Sequence, residues 1–87
     1  MVSPELEKAF KKAIIKFREN ANNELLTDSI KLDAYKYYKQ SINGNCNIPK
    51  PSYLNIKEYK KWTAWNSIID MSQEESVEKY ISLSFIF

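Results

Sequence analysis

Residues 35–40 read Tyr-Lys-Tyr-Tyr-Lys-Gln. On a helix, Tyr35, Tyr38 and Lys39 stand at i, i+3 and i+4 and share one face. Such a face suits a ligand that is part ring and part phosphate. A phenol offers a flat surface to a base and a hydroxyl to a phosphate oxygen, and lysine adds a compact positive charge. The same pattern also describes the edge of a core, with rings buried, hydroxyls wet and a lysine stem laid alongside. A second cluster, Lys60-Lys61-Trp62-Thr63-Ala64-Trp65, sets two indoles three residues apart. These are most simply core residues, and Lys61 either extends into solvent or flanks a cleft. Arg18 stands at the end of an apolar stripe, where a cation interacts favourably with a helix dipole. That role leaves a phosphate contact open.

Other chemistry is excluded by composition. The 87 residues contain no histidine, one cysteine and one glycine. This removes histidine-based triads, general bases and metal ligands. It also removes an intrachain disulfide, a cysteine-rich zinc site and a glycine-rich phosphate loop. Cys46 has no evident activator and reads as inert. No pair of carboxylates is compelled to be close, so acid–base catalysis has no support. The chain reads as a non-enzyme that needs no cofactor. Thirteen basic residues, all but Arg18 lysines, face eleven acidic ones, for a net charge of +2. That balance, with no arginine cluster, argues against nucleic acid as a partner.

One domain is expected over residues 1–87, with a small core. Four elements must position the clusters. The first starts at Ser3 as N-cap with Pro4 behind it, and its face is Leu6, Ala9, Phe10, Ala13, Ile14 and Phe17. The Asn-rich stretch 20–23 reads as a loop. The second helix starts near Thr27 or Asp28 and closes before Gly44. A long loop carrying Gly44, Pro49, Pro51 and Ser52 follows. Asn55 with Glu58, and Ser72 with Glu75, resemble capping boxes for the third and fourth helices. Tyr59, Trp62, Trp65, Ile68 and Ile69 form one expected stripe; Val77, Tyr80, Ile81, Ser84 and Phe85 form the other. The fold class is therefore all-α, four helices around one core. No apolar run reaches a membrane span, and the N-terminus lacks a basic-then-apolar signal, so the expected setting is soluble and cytoplasmic.

In order and spacing, these pieces resemble the acyl-CoA-binding protein family. The carrying residues are Tyr35 to Gln40; Gly44, Asn47 and Pro51; Lys61 to Asn66; and Met71-Ser72 with Glu75 and Tyr80. The resemblance implies an up-down-down-up four-helix bundle. It implies binding of medium- and long-chain fatty acyl-CoA, one to one, by a monomeric intracellular carrier. By position, Tyr35 would stack near adenine. Tyr38 and Lys39 would approach the nucleotide, with Lys39 on the 3′-phosphate and Lys61 helping to hold that end. Lys36 and Tyr37, in the same segment, join the expected ligand-binding set. Tyr80 would lie beside adenine and ribose, and Arg18 would face the site. Phe10, Ala13 and Ile14 would line the acyl groove. Transient membrane contact is compatible with such a carrier. Asp70 departs from the pattern, standing where the family commonly has glycine. A second reading, a helical interaction module with a weakened lipid site, rests on the apolar tail Leu83 to Phe87.

Overall fold

The computed structural model describes residues 2–87; Met1, included in the single-domain reading, lies outside them. Four helices form: α1 (Pro4–Glu19), α2 (Asp28–Asn43), α3 (Ile56–Asn66) and α4 (Gln73–Leu83). There is no strand among the described residues. α4 packs against both α1 and α2, and α2 packs against α3. The spatial order is thus α1–α4–α2–α3, in a flat body of 40 × 32 × 14 Å.

The helix starts follow from short polar side chains. Ser3, Thr27 and Ser72 each accept a hydrogen bond from the backbone N–H three residues on, at 3.2, 3.2 and 3.1 Å. Each thereby satisfies a donor that the first turn leaves without a partner. The capping box expected at α3 does not form. Asn55 occupies the cap position but makes no side-chain cap bond, and Glu58 turns to Lys61 at 3.6 Å. The start of α3 is held instead by a turn in which Asn55 N–H donates to the Ser52 carbonyl at 2.9 Å.

The ends depend on left-handed backbone. Gly44 closes α2 with φ 77°, a conformation glycine adopts without a Cβ penalty. Asp70, before α4, has φ 71°. Its side chain accepts from Asn45 Nδ2 at 3.0 Å, and its N–H donates to Asn45 Oδ1 at 2.7 Å. The turn at Asp70, where the resemblance implies glycine, is thus held by a reciprocal pair of hydrogen bonds. α3 ends at Asn66, so Ile68 and Ile69 fall in the following turn and Ile69 is exposed. α4 ends at Leu83, and Phe85 leaves the expected face for solvent.

The core joins Phe10 and Ala13 of α1, Ala34 of α2, and Val77 and Tyr80 of α4. Trp65 of α3 is buried beside Gln40, which is also buried. The indole N–H donates to Gln40 Oε1 at 3.1 Å and to the Gly44 carbonyl at 2.9 Å. Gln40 Nε2 donates to Asn45 Oδ1 at 2.8 Å and to the Met71 carbonyl at 3.0 Å. One side chain of α2 therefore ties α3, the long loop and the turn before α4 together. At the C-terminus Phe87 folds back onto Phe17, with ring centres 5.0 Å apart. This absorbs part of the apolar tail and leaves Phe85 and Ile86 exposed.

Candidate functional site

Tyr35, Tyr38 and Lys39 project from the middle of α2, Lys61 from α3 and Tyr80 from α4. The Lys61 ammonium lies 5.0 Å from the centre of the Tyr35 ring. The Lys39 ammonium lies 5.1 Å from the centre of a Trp65 ring. Both distances place a cation over the negative face of an aromatic ring. Tyr38 and Tyr80 face each other with centres 6.0 Å apart, over Phe10, whose ring is 6.3 Å from Tyr38 and 5.2 Å from Tyr80.

Two clefts meet here. The first, of about 430 Å³, is lined by Phe17, Ala21, Leu26, Lys31, Ala34, Tyr35, Tyr38 and Tyr80. The second, of about 660 Å³, lies between α2 and α3 and is lined by Asp28, Lys31, Leu32, Tyr35, Ile56, Lys57, Lys60 and Lys61. Tyr35 and Lys31 belong to both walls, so the clefts adjoin at these two residues. One is aromatic and apolar. The other sets four ammonium groups and one carboxylate around Leu32 and Ile56.

Burial tunes the phenols. Tyr80 is only 4% exposed, and burial, aided by neighbouring Tyr38, pushes its pKa up to about 12. Tyr35 is also raised, first by burial and then by the Glu58 carboxylate and Cys46. Both hydroxyls therefore stay protonated at neutral pH and can donate to an anionic oxygen. The lining groups are ammoniums, phenols, hydrocarbon and the Asp28 carboxylate, a set whose charge is net positive and chemically complementary to an anionic, partly apolar molecule.

The sequence-predicted residues divide. Tyr35, Tyr38, Lys61 and Tyr80 border the two clefts; Lys39 lines neither and stands one residue beyond Tyr38, over Trp65. Lys36 and Tyr37 turn elsewhere. Lys36 pairs with Asp33 at 3.1 Å and lies over the Tyr37 ring, which packs against the core. Arg18 is exposed between Phe17 and Ala21 and lines neither cleft. The three residues expected to form the acyl groove do not share a cleft with the tyrosines. Ala13 is 3% exposed within the core, so it offers no surface to a chain. Phe10 lies under Tyr38 and Tyr80, and with Ile14 it lines a separate cleft of about 410 Å³.

Sequence reasoning missed Lys31, Leu32, Ile56, Lys57 and Lys60. Lys31 was accessible by periodicity, since it stands four residues before Tyr35 on the same helical face. Likewise Lys57, four residues before Lys61, extends the lysine face of α3. No local signal marks Leu32 and Ile56, because pairing them needs the packing of α2 against α3.

Four helices with clefts between them, and no strand among the described residues, define the class as a small all-α bundle. The family described as "Acyl CoA binding protein" matches residues 7–84. The chain belongs to that family. It is similar to acyl-CoA-binding domain-containing protein 3 of Arabidopsis thaliana, with 34% identity over 79 residues, 91% of this chain and 22% of that protein. It is also similar to acyl-CoA-binding domain-containing protein 4 of Homo sapiens, with 35% identity over 81 residues, 91% of this chain and 30% of that protein. The chain thus spans less than a third of the length of these relatives. Among solved structures it resembles the crystal structure of ACBP from Moniliophthora perniciosa, with TM-score 0.83 and 29% identity. That match covers 88% of this chain and 74% of the other. The fold is the four-helix bundle of this family. No helix among the described residues is long and apolar enough to cross a membrane.

Proposed function

We propose that this chain, as one domain over residues 1–87, binds medium- and long-chain fatty acyl-CoA one to one and acts as a carrier. The observation that carries the reading is the junction at Tyr35. There an aromatic cleft and a lysine-lined cleft meet, with Lys61 over the ring. The adenine sits among Tyr35, Tyr38 and Tyr80. The 3′-phosphate, with nearly two negative charges, is held by Lys39 and Lys61 through charge-assisted hydrogen bonds. The acyl chain runs along Leu32 and Ile56, where the stems of Lys57 and Lys60 add hydrocarbon while their ammoniums stay wet. This course is preferred to the expected groove at Phe10, Ala13 and Ile14 because Tyr35 lines the α2–α3 cleft, whereas the cleft lined by Phe10 and Ile14 has no tyrosine in its wall. Each buried methylene contributes up to about 0.8 kcal/mol, so affinity rises with chain length until the cleft is full. Carriage alone accounts for the site, without a catalytic step or a cofactor.

Titration calorimetry with palmitoyl-CoA, dephospho-palmitoyl-CoA and free CoA tests the reading. Palmitoyl-CoA is expected to bind tightest and at one equivalent. Equal binding of the first two would refute the lysine–phosphate contact, and no binding of any would refute the function.

A further inference from the structure

Residues 44–57 contain no aspartate or glutamate, and they carry Lys50 and Lys57. This stretch is the loop from α2 into the first turn of α3. Four of its large apolar side chains stand in solvent: Ile48 is 46% exposed, Tyr53 73%, Leu54 78% and Ile56 64%. An apolar residue standing alone on a surface is ordinary, but several along one segment mark an interaction site.

The segment is held in place while it exposes them. Trp62 Nε1 donates to the Ile48 carbonyl at 3.0 Å, which fastens the loop to α3. Leu54 N–H donates to Ser52 Oγ at 3.2 Å, and Asn55 N–H to the Ser52 carbonyl at 2.9 Å. Pro49 and Pro51 fix their own φ. Lys50 lies over the rings of Tyr59 and Trp62, at 5.6 and 5.9 Å, so its charge is kept at this end of α3. Tyr53 and Leu54 border neither cleft of the binding site. They stand out from the surface.

We propose that this segment is a docking surface for a lipid bilayer bearing anionic headgroups. Protruding apolar side chains suit insertion at the boundary between headgroups and acyl chains, which deforms around them. Lys50 and Lys57 are interspersed with them, and the adjoining carboxylate, Glu58, is paired with Lys61 at 3.6 Å, so the segment presents net positive charge to a negative surface potential. Ile56 and Lys57 belong both to this segment and to the wall of the α2–α3 cleft. A docked protein would therefore hold the mouth of that cleft against the membrane.

The test uses ligand-free protein, so it stands whether or not acyl-CoA binds. Co-sedimentation is measured with phosphatidylcholine vesicles, with and without a phosphatidylserine fraction, at low and high salt. The protein is expected to partition onto the anionic vesicles, and to leave them at high salt. Tyr53→Ser/Leu54→Ser is expected to reduce that partitioning at least tenfold while acyl-CoA titration is unchanged, which also shows that the variant is folded. Lys50→Glu is expected to reduce it by about fivefold or more, the effect of each lysine near such a surface. No association with anionic vesicles overturns the proposal. So does undiminished association of the Tyr53/Leu54 double variant, and the patch would then be left to a protein partner.

Discussion

Lys61 of α3 lies with its ammonium 5.0 Å from the centre of the Tyr35 ring of α2, so two helices meet through a cation and a phenol where the two clefts adjoin. In the proposed function this contact holds Lys61 beside Tyr35, ready for the 3′-phosphate. Its partner Glu58, at 3.6 Å, is a half-exposed carboxylate, and an exposed pair of this kind contributes little stability. An incoming phosphate can displace it at low cost.

Lys39→Ala and Lys61→Ala are each expected to weaken palmitoyl-CoA binding by roughly 1.5–3 kcal/mol, the range for hydrogen bonds to charged groups. The loss should be much smaller for dephospho-palmitoyl-CoA. Calorimetry with both ligands checks this; an equal loss for the two would place the lysines elsewhere on the ligand.

Tyr80 makes stability depend on alkaline pH. Its pKa is about 12 in the folded protein and about 10 in the unfolded chain. Between these values the folded state holds a proton that the unfolded state has lost, so stability is full below pH 10 and falls as pH rises toward 12. Two units correspond to roughly 2–3 kcal/mol. Urea unfolding at a series of alkaline pH values should show this decline, and Tyr80→Phe should flatten it. An equally steep decline in the variant would assign the effect to other groups.

Asp70 at φ 71° gives a clean comparison. Asp70→Gly and Asp70→Ala both lose the Asn45 contact to the carboxylate, but only alanine meets the left-handed steric penalty. The glycine variant should be the more stable of the two by about 1 kcal/mol, after allowing for its extra freedom when unfolded. Equal stabilities would mean that the turn relaxes out of the left-handed region.

Gln40→Leu keeps bulk and removes the amide that bonds Trp65, Asn45 and the Met71 carbonyl. In the variant the Trp65 indole keeps the Gly44 carbonyl and Asn45 Oδ1 keeps the Asp70 N–H, so the Met71 carbonyl is the group left without its donor, at a cost of about 1–3 kcal/mol. The urea midpoint should fall with an unchanged slope. A variant as stable as the parent would show that water replaces the amide.

The four helices were legible because their signals are local. Ser3, Thr27 and Ser72 cap the turns that immediately follow them, and apolar spacing marks the faces of α1 and α2. Asn55 misled because a cap needs extended backbone as well as the right side chain, and the turn from Ser52 sets Asn55 otherwise. Phe85 misled because periodicity continues past the residue where the helix stops.

The sequence by itself determined which chemistry was open. Without histidine, and with one cysteine and one glycine, it closed histidine-based chemistry, an intrachain disulfide and a glycine-rich phosphate loop, and the spacing within α2 put Tyr35, Tyr38 and Lys39 on one face. Tertiary structure decided which of the remaining lysines and apolar residues join them. Lys36 and Lys39 are three residues apart, yet one pairs with Asp33 and the other lies over Trp65. Ala13 and Leu32 are both apolar helix residues, yet one is sealed in the core and the other lines a cleft. Periodicity reports which face of a helix is apolar. Which part of that face meets a neighbouring helix, and which part a gap between helices, is set by packing among residues distant in the chain.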